Sequence, residues 1–322
     1  MDPSVIFATV GFLLAAYSVV GNDAVQTLGT FIASNSKVIK WYWLWLAASL
    51  VLIFTLTYSW VMFNGDISYG RLAKIPPVEI KWYHAAAPLI LVLLTRTGIP
   101  VSTTFLVLST FASTVVLEKM LVKSVIGYGL AAVIAYGLWM VISRFMNEKY
   151  NMVKKENRTK WRILQWLATG FLWYSWLTHD MANIAVFLPR QLPLWMLLGT
   201  LTILCAWLAV IFRSSGGKIQ KIVLEKSGTR FMRSATIIDF VYALILLYFK
   251  EMNSIPMSTT WVFVGLLTGR ELAIATTYRA QYKFGYVFPL IGKDFLKMMI
   301  GLAVSVGLVM TIHYVLNPME FE

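Results

Sequence analysis

Two stretches of hydroxyl side chains interrupt apolar parts of this sequence. Residues 98–105 read GIPVSTTF and residues 254–261 read SIPMSTTW, so the pattern recurs after 156 residues. Proline suits the first turn of a new helix, which presents unpaired backbone N–H groups and the positive end of the helix dipole. Hydroxyls on such a turn add neutral donors that can bind an oxyanion. The six candidate anion ligands are Ser102, Thr103, Thr104, Ser258, Thr259 and Thr260.

An acidic motif is repeated at nearly the same interval. GNDAVQ at residues 21–26 corresponds to THDMAN at residues 178–183. An ionised carboxylate at membrane depth is costly and usually functional, and it would repel an anion unless a cation stood between them. Carboxylate and amide oxygens suit Na⁺, although a buried aspartate could instead take up a proton itself. The predicted cation-binding and coupling residues are Asn22, Asp23, Gln26, Asp180 and Asn183.

Simpler interpretations exist for both motifs. Serine and threonine can cap a broken helix or bond back to a carbonyl, and aspartates can cap helix ends at the membrane interface. Two other classes of protein also remain open: a membrane-embedded hydrolase that uses His179 and Asp180 with a hydroxyl nucleophile, and an anion channel. The duplication favours a transporter and no enzyme activity, because a hydrolase does not explain the repeat and a channel does not need carboxylates beside an anion.

The composition indicates which elements must position these residues. The chain has 322 residues, of which 58% are hydrophobic and 13% charged, and its mean hydropathy is +0.69. These values predict a helical membrane protein with several spans. Six apolar runs approach the roughly 20 residues needed to cross a bilayer. They are residues 4–20, 41–63, 121–142, 163–178, 192–212 and 295–316.

Shorter apolar segments flank each hydroxyl motif and predict two helical hairpins. The pairs are residues 85–95 with 101–117 and residues 236–249 with 257–276. The sequence therefore predicts an all-α membrane protein with about six full spans and two hairpins, about ten helical segments in all. Each half has an odd number of crossings, so the halves should have inverted topology, as in alternating-access transporters. We divide the chain into residues 1–146, a cytoplasmic linker 147–160, and residues 161–322.

The charges predict an orientation in the membrane. The net charge is +13, and 20 of the 28 Lys and Arg residues fall on one set of connections. Basic connections usually face the cytoplasm, so both termini should lie outside and the positive charge does not require a nucleic acid. At the predicted hairpin tips, we hypothesise that Arg96 pairs with Glu251. The stretch GLLTG, with Gly265 and Gly269, predicts close helix packing.

At these residues the sequence resembles the inorganic phosphate transporter family, PiT, which carries two Gly-Ala-Asn-Asp-Val-type and two Pro-Val-Ser-Thr-Thr-type motifs in this order. GNDAVQTLGT at residues 21–30 matches the first acidic motif closely, and HDMAN at residues 179–183 matches the second more loosely. Phe105 and Trp261 stand where members often have histidine, and His179 stands in place of asparagine.

The resemblance implies a definite mode of action. A PiT-like protein would import inorganic phosphate by symport with Na⁺ or H⁺, with external termini and a substrate site shared between inverted halves. It would lie in the plasma or inner membrane as a multi-pass protein within the lipid bilayer, would form a homodimer, and would need no cofactor beyond the coupling ion, for which Na⁺ is expected. The family also resembles sulfate permeases, so sulfate is the alternative substrate.

Overall fold

The protein is helical throughout its described part. The computed structural model describes residues 2–96, 101–145, 158–214, 232–252, 254–277 and 284–316, and within these ranges there are helices and no strand. The prediction of an all-α fold is confirmed. The α-helices are α1 Pro3–Ser18, α2 Ala24–Asn35, α3 Trp41–Met62, α4 Trp82–Arg96, α5 Thr103–Leu106, α6 Thr114–Phe145, α7 Arg158–Asp180, α8 Ala182–Ala185, α9 Leu194–Arg213, α10 Met232–Met252, α11 Thr259–Thr277 and α12 Phe284–Thr311.

Five segments are long and apolar enough to cross a membrane, and they make this an integral membrane protein. They are Pro3–Gly21, Trp41–Met62, Thr114–Ile142, Leu194–Arg213 and Val287–Leu316. Five of the six predicted spans are thereby confirmed. The sixth, residues 163–178, lies within α7, which does not reach the same hydropathy. Its polar residues, such as Gln165, Thr169 and Ser175, are buried inside the protein, so α7 turns a polar face to other helices rather than to lipid.

The first hairpin departs from the predicted arms. Its first arm, α4, has 15 residues, but α5 has only 4 and is followed by a 3₁₀ helix, Leu108–Thr110. The predicted apolar segment over residues 101–117 is therefore divided into short helical pieces. The hydroxyl of Thr110 donates to the Val107 carbonyl at 2.7 Å, and Ser109 donates to the carbonyl of Phe105. Such local bonds compete with a regular helix, so the chain turns back and α6 begins at Thr114.

Both acidic motifs lie where a helix is interrupted. A π-helical segment, Val19–Asp23, separates α1 from α2, and Met181 separates α7 from α8. The sequence did not indicate α2 as a separate element, because its 12 residues are too few for a span. Breaks in the regular helix of this kind are common where transporters hold ions.

Helices pack in pairs around these interruptions. The main pairs are α1 with α4, α7 with α10, α3 with α9, and α6 with α11, and α2 packs on α7. Indole N–H groups tie α3 to its neighbours: Trp45 donates to the Cys205 carbonyl at 2.8 Å, and Trp173 of α7 donates to the Ala48 carbonyl at 3.0 Å. The contact between α6 and α11 is close because Gly265 and Gly269 face the backbone of α6. The prediction of close packing at these glycines is confirmed.

Candidate anion and cation site

The two hydroxyl motifs lie side by side in the protein core. Thr104 Oγ1 donates to the Met257 carbonyl at 3.2 Å, and this bond joins the first motif directly to the second. The rings that follow the motifs, Phe105 and Trp261, meet edge to face with their centroids 5.5 Å apart. All six predicted anion ligands are buried. The structure therefore brings together two helix starts that are 156 residues apart in the sequence.

Each motif begins its helix in the same way. Ser102 Oγ accepts the N–H of Phe105 at 3.2 Å, and Ser258 Oγ accepts the N–H of Trp261 at 3.2 Å. These are N-terminal caps, which satisfy one of the free N–H groups of a first turn. The capping interpretation is thus correct for the two serine oxygens. Each serine still has a hydroxyl proton to donate, so capping and anion binding are compatible.

The acidic motifs lie against the hydroxyl motifs. Thr103 Oγ1 donates to Asp23 Oδ2, and Gln26 Nε2 lies 3.5 Å from both Asp23 Oδ1 and Thr260 Oγ1. In the second half, Asn183 Nδ2 donates to Asp180 Oδ1 at 3.0 Å. An amide three residues after each aspartate therefore orients its carboxylate in both halves.

Several acceptor oxygens in this cluster receive no hydrogen bond from the described part of the chain. Gln26 Oε1, Asp180 Oδ2 and Asn183 Oδ1 are buried, and none has a hydrogen-bond partner among the described residues. Thr104 and Thr259 lie next to the Asp180 carboxyl without completing a hydrogen bond at Oδ2. Buried oxygens without donors are costly and uncommon, and a bound cation would satisfy them. Carboxylate and amide oxygens of this kind fit Na⁺.

Tyr242, on α10, was not identified from the sequence. Its side chain is fully buried, and its hydroxyl donates to the Thr259 carbonyl at 2.9 Å. No pattern in the sequence marks this residue, because a tyrosine within an apolar helix usually packs in the core.

A second group missed from the sequence surrounds Asp239, also on α10. Thr30 Oγ1 lies 3.0 and 3.1 Å from the two carboxylate oxygens of Asp239, and Thr169 Oγ1 donates to Oδ2 at 2.6 Å. A further polar contact between α7 and α2 lies near the end of α2, where Gln165 Nε2 donates to Ser34 Oγ at 2.6 Å. The signal was present, because an acid within the apolar run TIIDFVYALIL is by default a functional candidate.

Four other residues considered from the sequence are not shown to join this cluster. The side chains of Asn22 and Arg96 lie outside the described residues, so the role of Asn22 and the pair of Arg96 with Glu251 stay predictions. Glu251 Oε1 lies 3.8 Å from Lys250 Nζ and is exposed. His179, considered as a hydrolase residue, contacts the Leu246 carbonyl at 2.8 Å with Nε2, and its Nδ1 has no described hydrogen-bond partner.

An apolar groove of about 750 Å³ lies between α6, α7 and α10, away from these motifs. Apolar side chains line nearly all of it, among them Leu138, Leu167 and Phe240. A groove with so few polar groups offers little to orient an anion or a cation, so the polar cluster around the hydroxyl motifs is the better candidate site.

Comparison with known proteins gives one informative likeness. No protein-family model and no curated protein matches the sequence. A solved structure described as "The sodium-dependent phosphate transporter" is similar to this chain with a TM-score of 0.64 and 18% sequence identity, over 98% of this chain and 100% of that one. The chain therefore has the fold of that solved transporter over nearly its whole length.

Proposed function

We propose that this protein is a secondary active transporter that imports inorganic phosphate together with Na⁺ by alternating access. The observation that carries the proposal is the meeting of two hydroxyl-bearing helix starts beside buried oxygens that have no described donor. One part of this arrangement suits an oxyanion and the adjacent part suits a cation. A site for both ions at membrane depth is what a symporter requires.

The anion would bind to the paired helix starts. The two first turns lie next to each other, because the Thr104 hydroxyl donates to the Met257 carbonyl, and the Thr103 hydroxyl donates to Asp23 until an anion competes for it. These donors are neutral, so they can bind a dianion and release it again, whereas a buried fixed cation would hold it more tightly. Tyr242 supports the second turn through the Thr259 carbonyl.

Na⁺ would bind among the acceptor oxygens of the acidic motifs. Asp180, Asn183 and Gln26 each contribute one buried oxygen without a described donor, and Asp23 adds a second carboxylate. Bound Na⁺ would neutralise the carboxylates that otherwise repel phosphate, so binding of one ion would favour binding of the other. This mutual dependence provides the coupling. A proton on Asp180 is the alternative coupling ion.

The pattern of helix pairs supports the inverted repeat. The pair α1 and α4 corresponds to α7 and α10, and α5 with α12 corresponds to α11 with α6. A two-fold repeat with residues 1–146 and 161–322 as its halves would produce these matched pairs. Rocking of one half against the other about the shared site would then expose the site to each side of the membrane in turn.

The substrate itself is proposed from two sources. The hydroxyl motifs suit a tetrahedral oxyanion, and the solved structure with this fold is described as a sodium-dependent phosphate transporter. Sulfate differs from hydrogenphosphate in having no proton to donate to a carboxylate, so the acceptor-rich site favours phosphate. The plasma-membrane location, the external termini and the homodimer stay predictions of the sequence.

Uptake into proteoliposomes tests the function. With labelled phosphate outside, an inward Na⁺ gradient should drive uptake, and equal K⁺ should not. Uptake of labelled sulfate in place of phosphate would assign a sulfate permease, uptake driven equally by a pH gradient would assign H⁺, and flux of either anion without any cation gradient would indicate a channel. No uptake of either anion would overturn the proposal.

Matched variants locate the site. Asp180→Asn should abolish Na⁺-driven uptake, because it removes the charge that holds the cation, whereas Glu118→Gln removes an exposed carboxylate on α6 and should leave uptake unchanged. Ser102→Ala combined with Ser258→Ala should weaken phosphate affinity. Normal Na⁺ dependence in Asp180→Asn would move the cation site elsewhere.

A further inference from the structure

Arg71 is a buried cation that the connection between α3 and α4 inserts into the core. It begins a short 3₁₀ helix, Arg71–Lys74, and its side chain is only 1% exposed. The preceding turn is built to direct it inward: Asp66 accepts the N–H groups of Ser68 and Gly70 at 2.7 and 3.0 Å, and both Tyr69 and Gly70 have positive φ. A non-glycine residue with positive φ is uncommon and usually has a structural reason.

The guanidinium of Arg71 contacts two elements of the candidate site at once. Nε donates to the Thr178 carbonyl at 3.2 Å, so this edge of the guanidinium holds the end of α7 two residues before Asp180. A terminal nitrogen also lies 3.4 Å from His179 Nε2, which itself lies 2.8 Å from the Leu246 carbonyl. Another terminal nitrogen donates to the Ile255 carbonyl at 3.4 Å. Ile255 directly precedes the proline of the second hydroxyl motif.

Arg71 also interacts electrostatically with the Asp180 carboxylate. The guanidinium is always charged and presents five donors in a planar fork, so it can bridge two elements in a way that a lysine ammonium cannot. Without a cation at the site, the carboxylate attracts the guanidinium toward α7. A bound cation would neutralise the carboxylate and weaken this attraction, so the guanidinium would bind more tightly to the Ile255 carbonyl, which it already contacts at 3.4 Å.

We propose that Arg71 is the positioning residue that couples the cation site to the anion site. This inference rests on the proposed function and deepens it. Cation binding near Asp180 strengthens the hold of Arg71 on the Ile255 carbonyl and so orders the second anion-binding turn. Because coupling between two sites is reciprocal, phosphate binding should raise the affinity for Na⁺ by the same factor.

Two other basic residues, Lys123 and Arg190, allow the coupling role of Arg71 to be distinguished from simple support of the second turn or of the connection. Lys123 Nζ donates to the same Ile255 carbonyl at 2.9 Å, and the adjacent Ser124 Oγ accepts the Ser258 N–H at 2.8 Å. Lys123 therefore supports the turn directly from α6. Arg190 donates to the Ile75 carbonyl at 3.0 Å, four residues after Arg71, and among the described residues it has no hydrogen bond to Arg71 or to either motif.

The test measures binding of labelled phosphate to the purified full chain in lipid nanodiscs, at saturating Na⁺ and with Na⁺ replaced by choline. The ratio of the two affinities is the coupling factor, which for allosteric sites is typically about 5- to 150-fold. Arg71→Gln should bring this ratio close to one. Lys123→Met should lower phosphate affinity under both conditions and keep the ratio, and Arg190→Gln should keep both affinity and ratio.

Each other result has a definite meaning. A wild-type ratio in Arg71→Gln, or an equal loss of the ratio in Lys123→Met and Arg190→Gln, overturns the inference and leaves the proposed function intact. If Arg71→Gln does not fold, Arg71→Lys keeps the buried charge, and it should bind phosphate with a reduced ratio. A full ratio in Arg71→Lys also overturns the inference. Failure of the wild type to bind phosphate at any Na⁺ concentration overturns the proposed function itself.

Discussion

The seam between α6 and α11 gives the sharpest prediction about stability, because it depends on the absence of two side chains. A Cβ atom added at Gly269 would lie 2.0 Å from the Ala132 carbonyl oxygen, and one added at Gly265 would lie 2.3 Å from the Tyr128 carbonyl oxygen. Both neighbours are backbone atoms of α6, which cannot rotate away. Since ordinary contact begins at 3.4 Å, Gly269→Ala would force the helices apart by about 1.4 Å.

The expected cost follows from two opposing effects. Overpacking of a well-packed core costs typically about 1–3 kcal/mol. Alanine is a better helix former than glycine by about 0.8–1.0 kcal/mol, which offsets part of this cost. Because the clash is with the backbone, we take the upper end of the range and expect Gly269→Ala to lower the free energy of unfolding by about 2 kcal/mol.

Reversible unfolding in mixed detergent micelles, followed by tryptophan fluorescence, measures this change. Gly129→Ala is the matched control: it lies on α6, and an added Cβ there meets nothing within 4 Å. Its stability should be unchanged or higher by up to about 1 kcal/mol, through helix propensity alone. Equal stability of Gly269→Ala and wild type, or an equal loss in Gly129→Ala, would refute the packing argument. Because α11 begins at Thr259, Gly269→Ala should also weaken phosphate binding.

Two further predictions concern the core near the site. Thr169→Val removes a hydroxyl that donates to the buried Asp239 carboxylate, so it should lower the free energy of unfolding by about 1–3 kcal/mol. The control Thr202→Val, on the exposed side of α9, should change the free energy of unfolding by less than about 0.5 kcal/mol. Similar losses in the two variants would argue against a buried carboxylate beside Thr169. A double-mutant cycle with Phe105→Leu and Trp261→Leu should give a coupling energy of about 0.5–1.5 kcal/mol for the edge-to-face pair, and a value near zero would mean that the rings are not in contact.

Much of the fold could be predicted because its signals are local. A span needs only an apolar run of sufficient length, and five of the six predicted spans are long and apolar enough to cross a membrane. The sixth, within α7, is a helix of 23 residues that does not reach the same hydropathy, because its polar residues face other helices and burial in the protein rather than in lipid determined its composition. The second arm of the first hairpin is shorter than its apolar run, because side-chain bonds of Ser109 and Thr110 replace the regular helix and hydropathy does not report such bonds.

The two hydroxyl motifs, the two acidic motifs and their order are readable from the sequence, because proline, serine and aspartate at these spacings act through short-range chemistry. Which groups meet across the chain depends on how the helices pack. Tyr242 at the second turn, Asp239 between two threonines and Arg71 between α7 and Ile255 all depend on contacts between distant segments. A lone arginine in a connection is normally solvated, and only the packing of the whole chain around it makes it a buried link between two sites.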